Sequence, residues 1–428
     1  HATAGSLYQM VNRSCRGYTT HVKGSIFDRK RLLFAACVLA GLLSVGIYLT
    51  MYQTSDAFTT LARCIESAPM TSQSFACVQQ NVRAVLQDMP AADLMQKVER
   101  ELPKKCHYIG HIIGKEIFHQ SETVENAFLA CGPGVCSRAC IHGVTGEALF
   151  SAGGLLASPE ELQHPSIDVL RDIGEQFCAQ DGTCHAVGHA LYTLFSDIPR
   201  SLKMCDEISS GKSAGMCYLG VFMENNSFIF DNTEMGPQTA KPFVESENLL
   251  YPCNIVESRY RPSCFQFLFL DIQKSLGSSP GADEGNIRDA HRKTCESLSD
   301  QRDRKACFNG FGWGLGSGLS SRQTLAPAEA QQICDRERTS DRIACTFGLS
   351  NGMVDMGRGW DPVSDRCASL DEMDLKEACY KGAFTAFHDR GEAYESTCDA
   401  IPDTVCKQSL ESFISNPNDI PLPLLYEL

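Results

Sequence analysis

The chain has 428 residues and 22 cysteines, yet no two cysteines are spaced C-x-x-C. That absence removes the zinc-type cysteine spacing and favours disulfides. No H-E-x-x-H occurs, so no helix carries the paired histidines and general base of a metalloprotease. No C-x-x-C-H occurs, which excludes covalent c-type haem. Strand-like alternation of β-branched residues is missing almost everywhere, so an extended sheet is not expected. The glycines of Gly310–Gly316 follow no strand and precede no Lys-Ser/Thr, so they cradle no phosphate.

Positive charge is also scarce, except at one end. The first 31 residues hold six of the 38 basic residues and only Asp28 of the 52 acidic ones. The remainder therefore carries 32 basic against 51 acidic residues, a net charge of −19 that argues against nucleic acid as a partner. Arg29-Lys30-Arg31 precedes an apolar run over residues 32–52, about the 20 residues needed to cross a bilayer. A signal peptide fits less well, because the preceding region is long and no small-x-small cleavage site clearly follows. Phe34-Ala-Ala-Cys37 has too little apolar sequence before it for a lipoprotein box. The opening His-Ala-Thr-Ala-Gly-Ser (1–6) lacks an initiator Met and reads as a tag or processed end. The positive-inside rule predicts a cytoplasmic basic tail (1–31), a single transmembrane helix (32–52) and an extracytoplasmic domain, periplasmic, lumenal or extracellular.

Twenty cysteines remain once Cys15 and Cys37 are set aside, an even number that suits disulfides in an oxidising compartment. They recur as close pairs: Cys64 with Cys77, Cys178 with Cys184, Cys205 with Cys217, Cys253 with Cys264, Cys295 with Cys307, Cys334 with Cys345, Cys367 with Cys379 and Cys398 with Cys406. Cys106 lacks an upstream partner and takes Cys131 or Cys136, leaving the other for Cys140; spacing does not choose. The second cysteine of most pairs opens a related run, as in Cys217-Tyr-Leu-Gly220, Cys307-Phe-Asn-Gly310, Cys345-Thr-Phe-Gly348 and Cys379-Tyr-Lys-Gly382. Run-opening cysteines at 106, 140, 184, 217, 264, 307, 345 and 379 lie 33–47 residues apart, the period of helical-hairpin solenoids.

Each unit is expected to be a helix ending near the first cysteine, a short polar turn, and a second helix starting near the next. Glycines spaced by four, as at Gly110/Gly114, Gly310/Gly314 and Gly348/Gly352, would let neighbouring second helices approach closely. The expected fold is all-α: a disulfide-stapled α-solenoid over residues 56–415, followed by an extended tail at 416–428. In construction it resembles Sel1-like and tetratricopeptide arrays, whose consensus residues do not match here. Loops at Ser151–Pro165, Asn225–Pro252 and Gly277–Asn286 interrupt the period, and Asn225-Asn-Ser227 is the one glycosylation sequon beyond the span.

Two near copies of one motif carry the chemistry. Cys106-His-Tyr-Ile-Gly-His111 and Cys184-His-Ala-Val-Gly-His189 each place two histidines four residues apart, on one helical face. Cys140-Ile-His142-Gly143 is a looser version. His107, His111, His142, His185 and His189 are candidate ligands for zinc, copper or iron, with Glu147 and Glu224 as candidate carboxylates. A packing role is the competing reading, since repeats duplicate residues together; but later units put Tyr, Phe or Thr after the cysteine, so the fold does not demand histidine there. Met223, Met353 and Met356 read as core residues. Two functions are therefore expected from sequence. The first is a membrane-anchored scaffold or accessory subunit of a membrane protein complex. The second is a metal-binding protein or metal-dependent enzyme.

Overall fold

A computed structural model describes residues 57–65, 72–102, 105–132, 135–152, 167–179, 183–226, 248–277, 283–318, 325–355, 359–389, 394–399 and 401–415. The chain divides into two compact units, residues 1–59 and 60–428. The basic tail, the apolar run 32–52, the C-terminal tail and most of the three interrupting loops lie outside the described residues. Among the described residues no strand occurs, and no helix is long and apolar enough to cross a membrane.

In chain order the helices are α1 (Ser72–Leu86), α2 (Ala91–Glu101), α3 (Cys106–Gln120), α4 (Val124–Cys131), α5 (Val135–Ala152), α6 (Ile167–Cys178), α7 (Cys184–Phe195), α8 (Ile198–Ile208), α9 (Gly211–Asn226), α10 (Arg261–Gly277), α11 (Glu284–Glu296), α12 (Gln301–Ser317), α13 (Pro327–Cys334), α14 (Thr339–Asp355), α15 (Trp360–Ala368), α16 (Met373–Asp389) and α17 (Thr404–Ser415). Their starts are written locally. Thr123, Asp197 and Asp283 each accept a hydrogen bond from a first-turn backbone N–H, and Asp300 accepts two. Pro327 stands at the start of α13, where its missing N–H costs nothing.

Ten cysteine pairs lie at disulfide distance, with Cα separations of 5.4–5.9 Å, or 4.2 Å for Cys178 with Cys184. All eight pairs read from spacing occur. Cys64 bonds to Cys77, Cys178 to Cys184, Cys205 to Cys217 and Cys253 to Cys264. Cys295 bonds to Cys307, Cys334 to Cys345, Cys367 to Cys379 and Cys398 to Cys406. The open choice resolves as Cys106 with Cys136 and Cys131 with Cys140. Each of the shorter loops, closed over about a dozen residues, is worth roughly 3 kcal/mol in the chain-entropy picture.

Several pairs differ from the expected setting, a turn joining two full helices. Cys217, Cys307, Cys345 and Cys379 sit six residues inside α9, α12, α14 and α16, because the polar segments before them form the first helical turns, not connecting loops. Cys77 of α1, Cys264 of α10 and Cys406 of α17 lie only two to five residues past their helix starts. The partners of Cys264 and Cys406 are in short turn segments, Cys253 and Cys398, so those two units lack a full first helix.

The second helices touch one another in order: α3 on α5, then α7, α9, α10, α12, α14, α16 and α17. The shorter helices pack beside them, α13 for instance between α12, α14 and α15. One continuous apolar core runs from α5 to α17, with Phe222, Phe265, Phe269, Phe308, Phe311, Phe384 and Phe413 fully buried. Far apart in sequence, Arg138 of α5 donates to the His388 carbonyl of α16 at 3.4 Å.

Contact between second helices is backbone on backbone. A Cβ added to Gly348 of α14 would fall on the Asn309 carbonyl of α12, and one on Gly312 would fall on the Cys345 carbonyl. Each such glycine gives up about 1 kcal/mol of helix propensity relative to alanine for this approach. Gly348→Ala tests the balance. The propensity gain of about 1 kcal/mol is set against overpacking that costs typically 1–3 kcal/mol. The nearest obstructing atom, the Asn309 carbonyl oxygen, is backbone and has no rotamer to yield, so we expect a net loss. Thermal unfolding without reductant should show a midpoint lower by a few degrees; an unchanged or higher midpoint would contradict the close packing.

Charge is handled unevenly at the turns between units. Asp341, 1% exposed, is held on one carboxylate oxygen by Arg304 Nε at 2.8 Å and Nη2 at 2.6 Å. Glu337 pairs with Arg292 at 4.0 Å, and burial, aided by Glu296 and Asp341, pushes its carboxyl up to about 7, with Arg292 and Arg304 pulling the other way. A carboxyl raised in the folded state favours folding while protonated, so its contribution is lost as pH rises from the usual range near 4.5 through about 7. Glu337→Gln should flatten the decline in denaturation midpoint between about pH 5 and pH 8. A parallel decline in both proteins would show that Glu337 is not responsible.

Candidate metal centre

Helices α3, α5, α7 and α9 adjoin in that order and bring all five motif histidines together. The glycines of the motifs set this up. A Cβ on Gly143 of α5 would fall on the His111 carbonyl, and one on Gly220 of α9 would fall on the His185 carbonyl. Gly114 and Gly188 meet the carbonyls of Cys140 and Cys217 in the same way. By these contacts the two C-H-x-x-G-H copies are offset by four residues, one helical turn. His111 is therefore the packing equivalent of His185, with His107 one turn to one side and His189 one turn to the other.

Within each pair the Nε2 atoms converge: 3.1 Å between His107 and His111, and 3.0 Å between His185 and His189. His142 lies between the pairs, its ring centroid 5.6 Å from His107, 5.5 Å from His111, 5.6 Å from His185 and 6.1 Å from His189. The direct crossing from His111 to His189 is 6.3 Å. One ligand atom each from His107, His111 and His142 falls within 4.8 Å of the others.

The outer edges of two rings are anchored. His107 Nδ1 donates to the Cys136 carbonyl at 3.0 Å; a carbonyl only accepts, so His107 Nε2 carries the lone pair. Cys136 itself takes a left-handed backbone, with φ of 56°, as it presents that carbonyl. His189 Nδ1 donates to the Glu224 carboxylate at 2.7 Å, which leaves the His189 Nε2 lone pair facing His185. A backbone contact with Met216 acts on His185. Two ring nitrogens about 3 Å apart repel unless a proton or a cation lies between them.

Burial keeps every ring neutral. It pushes His107 down to about 4 despite the Cys136 carbonyl, and His189 to about 3. His111, His142 and His185 are driven well below the usual histidine range, by burial first and then by repulsion from the other rings. Neutral imidazole is the form that binds metal.

The two candidate carboxylates do other things. Glu224 holds the far edge of His189, an orienting position common behind metal-bound histidine. Glu147 is occupied by His119, whose Nε2 lies 2.7 Å away, with Lys115 Nζ at 3.9 Å. His119 is a residue that the motif reading passes over. The signal was the continuation of the four-residue steps along α3 through His107, His111, Lys115 and His119. A second grouping, His291 with Cys295 and Cys307, offers no thiolate because the two cysteines are bonded to each other.

Neither serine of the two described G-x-S-x-G segments is a nucleophile elbow, which needs a strand-to-helix turn. Gly211–Gly215 and Gly348–Gly352 lie inside α9 and α14, and Ser350 is buried and bonded to the Phe347 carbonyl at 3.0 Å. Asn225 of the sequon is 3% exposed and accepts from the Tyr192 hydroxyl at 2.7 Å, a poor place for a glycan. No protein-family model matches the chain, and no curated protein or solved structure matches it either.

Histidine NMR checks this electrostatic picture in chelator-treated protein. His107 and His189 should appear as Nδ1–H tautomers, and none of the five rings should titrate between about pH 5.5 and pH 8. A ring in this group with a midpoint near the ordinary histidine value of about 6.5 would mean that the cluster is open to water.

Proposed function

We propose that the chain is a membrane-anchored, extracytoplasmic α-solenoid that holds a transition-metal ion on His107, His111 and His142, with His185 and His189 adjoining. One observation carries this reading. With metal–nitrogen bonds of about 2.0–2.1 Å, three imidazoles on one ion have ring centroids roughly 5–5.5 Å apart. The separations among His107, His111 and His142 are 4.8, 5.6 and 5.5 Å. The Cys136 carbonyl supports the ligand tautomer of His107 from behind.

Donor chemistry narrows the ion. Every cysteine among the described residues is paired, so no thiolate competes, and both nearby carboxylates are engaged elsewhere. An all-imidazole set favours copper(II), then zinc(II), over iron, which prefers carboxylate in its histidine sites. The disulfides support an oxidising compartment, and the basic cluster before the apolar run supports a cytoplasmic N-terminus. A scaffold role draws on a separate observation, the unbroken succession of second helices from α3 to α17, a repeat construction of the kind that binds partner proteins.

Elemental analysis of the full chain, purified oxidised and dialysed against trace Cu(II) and Zn(II), tests the proposal. We expect at least one ion per chain, and a loss of affinity of tenfold or more in the His107→Ala/His111→Ala variant. A folded wild-type chain with no ion above the buffer blank would remove the metal reading and leave the scaffold.

A further inference from the structure

The five rings form two triangles that share one corner. His107, His111 and His142 make the first, with centroid separations of 4.8, 5.6 and 5.5 Å. His142, His185 and His189 make the second, at 5.6, 6.1 and 4.7 Å. Rings on one ion stand roughly 5–5.5 Å apart, given bonds of about 2.0–2.1 Å. The first triangle meets this; the second needs His142 and His189, 6.1 Å apart, to close slightly, and one ion shared by both pairs would need His111 and His189, 6.3 Å apart, to close as well.

Two ions on opposite nitrogens of one imidazole are separated by about 6 Å when each metal–nitrogen bond is about 2 Å. His142 is 7% exposed, and its Nδ1 is buried with no hydrogen-bond partner. Each pair also has its own outer anchor, the Cys136 carbonyl behind His107 and Glu224 behind His189.

Resting on the metal reading above, we infer that the centre is dinuclear: His142, as imidazolate, bridges one divalent ion on His107 and His111 and a second on His185 and His189. As the second ion binds, the remaining ring N–H of His142 breaks, its proton leaves to water, and a nitrogen–metal bond takes its place. No electron is transferred. The ions are of the class that accepts imidazole readily, Cu(II) or Zn(II). Glu224 is a positioning residue for the second ion, acting through His189.

Copper reconstitution of the full chain tests this. Wild type should bind two Cu(II) per chain. Imidazolate coupling should leave a double-integrated EPR signal at liquid-helium temperature at least fivefold below one spin per copper. His185→Ala/His189→Ala should retain one copper with its full spin, and His142→Ala should lose the coupling. The wild-type spin count decides the matter even where a variant fails to fold. One copper per chain, or two with full spins, would overturn the bridge while leaving the metal reading intact. No copper bound would overturn both.

Discussion

At Gly143 the backbone of α5 lies against the His111 carbonyl of α3, with no space for a β-carbon between them. The same contact recurs at Gly220 on His185 and, farther along, at Gly310 on Gln266 and Gly382 on Phe347. Side chains normally keep packed helices about 8–10 Å apart. Removing them at each crossing draws the second helices together and fixes their sliding register, because a carbonyl seated on a glycine has no adjacent place to move to. The histidine cluster depends on both effects. Its rings reach one another across α3, α5 and α7 because those axes are close. They fall into two pairs because each C-H-x-x-G-H copy places its histidines four residues apart on one helix.

Close backbones raise the cost of anything polar placed between them. His111, His142 and His189 are buried and His107 and His185 half-buried, and desolvation holds each of the five imidazoles neutral. Neutral rings limit the repulsion, yet facing nitrogens still need a proton or a cation between them. An apolar packing role would be met more cheaply by the Phe, Tyr or Thr that the later units place after their cysteines. The disulfides contribute by subtraction as well as by stapling. Locking Cys106, Cys136, Cys140 and Cys184 into bridges removes the softest donors from the edge of the cluster and leaves nitrogen alone.

Much of this was legible in the residue order, for identifiable reasons. Eight cysteine pairs, from Cys64 with Cys77 to Cys398 with Cys406, could be read because spacings of 6–13 residues match a turn between helices. The five histidines could be read because helical periodicity stacks residues four apart. What escaped was set by tertiary register. Aligning the two C-H-x-x-G-H copies by sequence matches His107 with His185, whereas the glycine contacts make His111 the packing equivalent of His185, and the ring facing His111 across the cluster is His189. Glu147 and Glu224 each follow a cysteine by seven residues, so periodicity groups them; Glu147 turns to His119 and Glu224 to His189 because each has a different neighbour within reach. The polar segments before Cys217, Cys307, Cys345 and Cys379 resemble loops in composition, but their early acidic or capping residues make most of them first turns.

The bridges Cys106 to Cys136 and Cys131 to Cys140 interlock: each has one end inside the loop that the other closes. For the remaining pairs the native partner is also the nearest cysteine along the chain. Here it is not, since Cys136 lies closer to both Cys131 and Cys140 than to Cys106. Short loops close fastest, so oxidation governed by proximity first joins neighbours that must later part. Proximity alone would therefore mispair the segment that carries His107 and His142, and reaching the native bridges from such a mispairing would take thiol–disulfide exchange.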